Sequence, residues 1–342
     1  MPRLSSVLLL ALCAALPHSS VAQQPPQLTQ FLKQSIRLDA AQLAAVETGQ
    51  PVVRVLETQN PRDVALFGII TTGASCESFV RALRDFRTSL AAPTRVRFGI
   101  LSNPPVPADV QTLVIDKDDA KDARKCKPGD CKFKLPATEM AKIKQDVDWK
   151  ARDVEAELSK YARMRMLAYV TDYRARGDSA LAVYDDRGGV DASNAFGSLL
   201  GESPYVYQYA PELAAYLKSY PRGTLPGADE VIFWAEDAPP HLRNTITVNH
   251  LVVYTPPELP GMTLVATKQL YAKHYFEAAF DLMSVIDRGS SGSYLVVLRR
   301  YRFDNLPSGG LLNIKERVVN SLRDNMTADL KRQKAQAERA PR

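Results

Sequence analysis

SYLVVLRRYRFDNLPSGGLLNIKERVVNSLRDNMTADL, residues 293–330, changes its hydrophobic period half-way along. Its first part, 293–303, is rich in Tyr, Leu and Val and reads as a β-strand. Pro307, Ser308, Gly309 and Gly310 then break the pattern, after which Leu311, Ile314, Val318, Leu322, Met326 and Leu330 recur at intervals of three and four. That spacing puts them on one face of an amphipathic helix of about twenty residues. Upstream, 230–235, 245–254, 263–271 and 275–286 are further strand candidates, each bounded by Pro, Gly or Asp. Residues 229–334 are therefore expected to form an antiparallel sheet closed by the helix, whose apolar stripe must cover something.

The chain has 342 residues, 45% hydrophobic and 24% charged, an ordinary globular composition that allows one large domain or two. It opens with Arg3, an apolar run over 7–16 and the small-residue exit Ser20, Val21 and Ala22, which together read as a signal peptide, 1–22. Its apolar run is too short to span a bilayer, and no later segment approaches the roughly 20 apolar residues required. Leu12 stands before Cys13, where lipidation signals carry a small residue. The mature chain is expected to be exported, periplasmic or secreted, with no transmembrane segment. Its net charge of +6 comes from Lys and Arg interleaved with Asp and Glu, which gives no case for a nucleic-acid partner. The biased end, 335–342, reads as a disordered tail.

Residues 23–135 read as an α/β segment that contributes to the main fold. Leu28, Phe31, Leu32 and Ile36 share a helical face, 38–47 is a second short helix, and 52–56 and 64–71 are strands of a hairpin. Thr72, Gly73, Ala74 and Ser75 lead into a helix from Cys76 to Leu90, with Phe79, Leu83 and Phe86 facing inward. Residues 95–101 and 111–115 are further strand candidates, separated by Asn103, Pro104, Pro105 and Pro107. DKDDAKD, 116–122, resembles a calcium loop but has Lys121 where Gly is needed and Lys127 where a bidentate Glu is needed, so it reads as a charged turn. Residues 136–228 read as a helical insertion. Over 136–177 a stripe of Met140, Ile143, Val147, Ala151, Val154, Leu158 and Tyr161 predicts helix. Unbroken it would reach roughly 60 Å, so a break near Trp149 is expected. Residues 179–184 return to strand, and the insertion ends in a tyrosine-rich stretch with Tyr205, Tyr207, Tyr209, Tyr216 and Tyr220.

Cys126 and Cys131 flank Pro128 and Gly129, the residues that a type II turn prefers at its centre. In an exported chain this predicts a disulfide across the turn, contributing roughly 2 kcal/mol by loop closure. Cys76 lies at a helix start, where the dipole favours a thiolate, and is open to two readings: a nucleophile, or a small residue under the sheet. His241, His250 and His274 have no metal-ligand spacing, and Ser75 lacks the trailing Gly of a nucleophile elbow. Neither a catalytic set, a metal site nor a cofactor motif emerges.

DVALFGIITTGASCESFVRALRDF (63–86) and the run from ITVNHLVVY (246–254) to LLNIKERVVNSLRDNM (311–326) resemble, in layout, the opening and closing halves of START-like helix-grip proteins. The signal peptide, the CKPGDC segment and LRRYRFDNLPSGG resemble those of uncharacterised exported bacterial proteins. The first resemblance implies an α+β fold, a curved antiparallel sheet around a long C-terminal helix, with a cavity for lipids or other apolar ligands. It assigns no residue a role. The expected function is non-enzymatic binding of an apolar or amphipathic, lipid-like ligand between sheet and helix. Lys268, Tyr271, His274, Phe276, Arg299, Tyr301, Ile314, Val318 and Leu322 are the candidate contacts. Two alternatives stay open: an envelope protein that grips a protein partner with its helical insertion and tyrosines, and a hydrolase using Cys76 with His250 or His274.

Overall fold

The computed structural model describes residues 26–238, 243–306 and 314–339. The expected signal peptide, His241, Leu311 and the last residues of the tail lie outside them. Ten strands are described: β1 (Val52–Leu56), β2 (Asp63–Thr72), β3 (Arg95–Leu101), β4 (Val183–Tyr184), β5 (Val190–Asp191), β6 (Asp229–Asp237), β7 (Thr245–Tyr254), β8 (Met262–Ala272), β9 (Phe276–Asp287) and β10 (Ser293–Phe303). Eight form one antiparallel sheet in the order β1-β2-β10-β9-β8-β7-β6-β3, while β4 and β5 pair separately. β2 thus lies beside the last strand and β3 at the far edge. The chain crosses the sheet between them and then returns strand by strand from β6 to β10.

The fold class is α+β, as the residues 229–334 predict, with a long C-terminal helix against the sheet. Every residue of β2 and of β7 is buried, which means that both faces of the sheet are covered. On one face Leu66, Val285, Leu295 and Val297 meet Phe79, Met326 and Leu330. On the other, Val252, Leu264, Phe280 and Leu282 meet Phe196, Leu199, Leu213 and Leu217 of the insertion.

The helices are α1 (Pro26–Gln30), α2 (Ala40–Glu47), α3 (Cys76–Arg84), α4 (Phe86–Ser89), α5 (Lys117–Lys125), α6 (Ala137–Asp146), α7 (Val154–Arg176), α8 (Ala192–Gly201), α9 (Pro204–Tyr209), α10 (Pro211–Ser219) and α11 (Ile314–Arg339). Ser75 caps α3, its hydroxyl accepting from Ser78 N at 3.2 Å, so Cys76 opens that helix as expected. α11 runs past Lys334 to Arg339 and so takes in part of the expected tail; Glu338 accepts from Gly73 N at 3.0 Å. The predicted break near Trp149 separates α6 from α7.

Three local expectations are corrected. Residues 116–122 form a helix, α5, rather than a turn: Asp116 accepts from Asp119 N at 2.8 Å, acidic residues occupy the first turn and Arg124 and Lys125 the last, in accord with the helix dipole. Residues 111–115 are not a strand; a short 3₁₀ turn, Pro107–Val110, precedes them, and Ile115 N donates to Ser159 Oγ in α7. Only Val183–Tyr184 of 179–184 is strand, because Gly177–Ala180 is a second 3₁₀ turn.

β3 and β6 are sheet neighbours, with Leu101 opposite Ile232, so residues 102–228 form one excursion over the sheet face that α11 leaves open. Trp234 fixes its start: fully buried, it donates through Nε1 to Asp109 O at 2.9 Å. Its cross-strand partner is Gly99, where any Cβ would collide with the indole. The disulfide Cys126–Cys131 forms as expected and packs with Phe133, Met140 and Tyr161.

Candidate functional site

Side-chain alternation divides the expected contacts between the two faces. Arg299, Tyr301 and Phe276 lie beneath α11 with Val318 and Leu322, and the Phe276 and Tyr301 rings are 5.5 Å apart. Ile314 is 44% exposed. The polar centre of this face is already paired: Arg299 sits 3.2 Å from Asp281 and 3.0 Å from Asp329 of α11. Burial pushes the Asp281 carboxyl up, against the pull of Arg299. Farther along, α11 rests directly on β2, where a Cβ on Gly68 would come within 2.7 Å of Met326 Sδ.

Lys268, Tyr271 and His274 are not under α11. Lys268 points to the insertion, pairing with Asp178, donating to Leu217 O at 3.1 Å and lying 4.2 Å from the centre of the Phe196 ring. Tyr271 packs against Tyr169 and Tyr184, with ring centres 6.1 and 6.3 Å away. His274 donates from Nδ1 to Lys132 O at 2.8 Å and stacks on Phe133. Its neighbour Lys273 forms a buried ion pair with Asp119 of α5.

His250 is fully buried between the sheet and α7. Burial holds its pKa below the usual histidine range despite Glu230. Burial would raise Glu230, but hydrogen bonds from His250 and Tyr216 leave it lowered and ionised. A carboxylate only accepts, so His250 Nε2–H donates to Glu230 at 3.0 Å and its Nδ1 accepts from the Tyr173 hydroxyl at 3.1 Å. Tyr216 and Tyr220 are engaged in this same cluster. Cys76 packs on the opposite face, its Sγ 3.8 Å from Val285 O. Desolvation, helped by Asp287, pushes its thiol up, so the helix dipole does not produce a thiolate. His250 is thus across the sheet from Cys76, and His274 is tied to the α5 and Phe133 side.

The open space is on the insertion's face, at the end of the sheet beside α1. Its floor is the outward side of β8, β9 and β10: Leu264, Leu282, Val296 and Leu298 around Ser284. Ser284 stands opposite Leu264 on one side and Val296 on the other, so the floor dips where a small side chain separates two large ones. Leu28 and Phe31 form one wall, and Tyr209 and Ala210, at the end of α9, form another. The Phe31 and Tyr209 rings meet edge to face at 6.2 Å. Pro256, Pro257 and Pro260 in the β7–β8 connection cannot extend the strand pairing and make a rim instead. The base of that loop is held by the Thr255 and Thr263 hydroxyls, 2.8 Å apart.

The inner cavity measures about 370 Å³ and adjoins a basin of about 860 Å³ lined by Gln30, Gln34, Gln208, Glu212 and Tyr254. Phe31, Tyr209, Glu258 and Leu259 line both. Burial and the Glu212 carboxylate beside it push the Tyr254 phenol up to about 12. An apolar pit under a polar antechamber can take the body of an amphipathic molecule and keep its head wet. The periodicity of Leu28 and Phe31 and the tyrosine-rich stretch were visible in the sequence, but nothing local brings Phe31 to Tyr209. A comparison with models of known protein families finds no match to this chain, and a comparison with curated proteins finds no significant relative.

Proposed function

We propose that this protein binds a small amphipathic molecule without transforming it, and that the molecule lies between the sheet and α1, α9 and the β7–β8 loop rather than under α11. The observation behind this reading is the apolar cavity of about 370 Å³, within the usual range of roughly 300–1,000 Å³ for ligand pockets. The paired charges of Arg299 and the close seat of α11 on Gly68 argue against the other face. The Cys126–Cys131 disulfide favours an oxidising compartment, in keeping with export. No helix among the described residues is long and apolar enough to cross a membrane.

Native mass spectrometry of the protein purified from its own host, followed by organic extraction, tests this. The expected result is an apolar molecule bound one to one and lost from Ser284→Trp, which fills the dip in the floor. An empty protein that also takes up no decanol in calorimetric titration would overturn the proposal.

A further inference from the structure

The cavity has a chemical bias of its own. Neither the inner cavity nor the basin has a Lys, Arg or His in its lining, although Lys and Arg number 44 in the chain. A lining of this size drawn evenly from the composition would contain several. Its charged residues are all acidic: Glu212 in the basin, Asp287 at the inner cavity, and Glu258 where the two meet. Among the described residues none of the three belongs to an ion pair: Glu258 and Asp287 face solvent at the opening, and Glu212, half-buried, lies beside the Tyr254 hydroxyl. Phe31, Tyr209 and Tyr254 add ring faces and edges around the same opening.

On the premise that the cavity holds an amphiphile, we infer that the ligand's head is cationic, an ammonium-type group on a single apolar chain or compact apolar body. The tail lies over Ser284 between Leu282 and Val296, and the head emerges beside Glu258 and Glu212. An ammonium there gains from carboxylates that no protein cation neutralises and from aromatic faces close by. A phosphate, sulfate or carboxylate head meets like charge with no compensating cation, its donors limited to neutral amides and hydroxyls such as Gln30, Gln208 and Tyr254, which leaves a net repulsion.

Isothermal titration of the full chain with decyltrimethylammonium, decanol and decanoate, equal in chain length and different in head, tests this directly. The cationic probe is expected to bind about tenfold more tightly than decanoate at low salt, the sum of modest contributions from partly exposed carboxylates. The gap should narrow at high salt and in Glu212→Gln/Glu258→Gln, with decanol unchanged. Ser284→Trp should block all three. Equal affinities, or a preference for decanoate, would overturn the cationic head while leaving the cavity reading intact. Failure of every probe to bind, or binding unaffected by Ser284→Trp, would overturn the cavity reading itself. Should the double carboxylate variant fold poorly, the salt dependence of the wild-type ratio decides the same question.

Discussion

Substitutions at two positions on opposite faces of the sheet separate a filled interface from a hollow one. A Cβ at Gly68 would lie 2.7 Å from Met326 Sδ, 3.0 Å from Leu330 Cδ1 and 3.2 Å from Met326 Cγ. Attractive contacts between such atoms sit at about 3.5–4.0 Å. Met326 and Leu330 are 1% and 0% exposed and have little room to retreat. Replacing a strand glycine gains roughly 0.5–1 kcal/mol of backbone entropy, so Gly68→Ala, whose one methyl a flexible methionine can partly accommodate, should be near neutral. Gly68→Val adds two further methyls to the same space and should cost about 1–3 kcal/mol. Ser284→Leu, between Leu264 and Val296, should instead stabilise by about 0.5–2 kcal/mol, because it puts apolar volume into space that is open. Urea denaturation of the three variants, compared at constant m-value, reads both effects. A neutral Gly68→Val together with a Ser284→Leu that loses more than about 1 kcal/mol would place the hollow under α11 and reverse the reasoning.

Asp119→Asn leaves Lys273 buried without its counter-charge and should cost about 3–5 kcal/mol in the same assay, while Asp119→Leu/Lys273→Met recovers much of that loss. Cys126→Ser/Cys131→Ser should lose about 2 kcal/mol, and the wild type should lose the same on reduction. Stability should fall as pH drops below about 6.5, since the unfolded chain then binds a proton that buried His250 refuses until its own lower pKa is reached. Glu230 and Asp119, both held below the ordinary carboxylate range, lose their contributions at still lower pH. Thermal melts from pH 8 to 5 should show a shallower acid slope in His250→Gln; an unchanged slope would remove His250 as the cause.

The strands β6 to β10 and the helix α11 were legible because their composition and period are local properties of 230–330. Which face of the sheet carries the cavity was not. β7 is buried along its whole length, so alternation there gives no polar side to read, and Arg299 and Lys268 look alike in sequence although one pairs under α11 and the other under the insertion. Helix α5 was missed because its acidic start imitated a metal loop, when those same carboxylates were serving as cap and dipole partners. The cavity could not be found from spacing: Phe31, Tyr209, Glu258 and Ser284 come from four separate segments. Cys76 was correctly placed at a helix start, yet its reactivity depends on desolvation and on Asp287, which the sequence places far away.

The path of the insertion has a consequence for how this molecule can change. Residues 102–228 leave the sheet from β3 and re-enter it at β6, adjacent strands about 4.8 Å apart, so the stem of the excursion is a hairpin with its ends already together. An excursion with joined ends can be exchanged, lengthened or trimmed without re-threading any strand. The segment supplies Tyr209, Ala210 and Glu212 to the cavity, while its floor belongs to β8, β9 and β10. The floor and this wall therefore come from different parts of the chain. A graft at this stem would exchange Tyr209, Ala210 and Glu212 while leaving the residues of β8, β9 and β10 as they are.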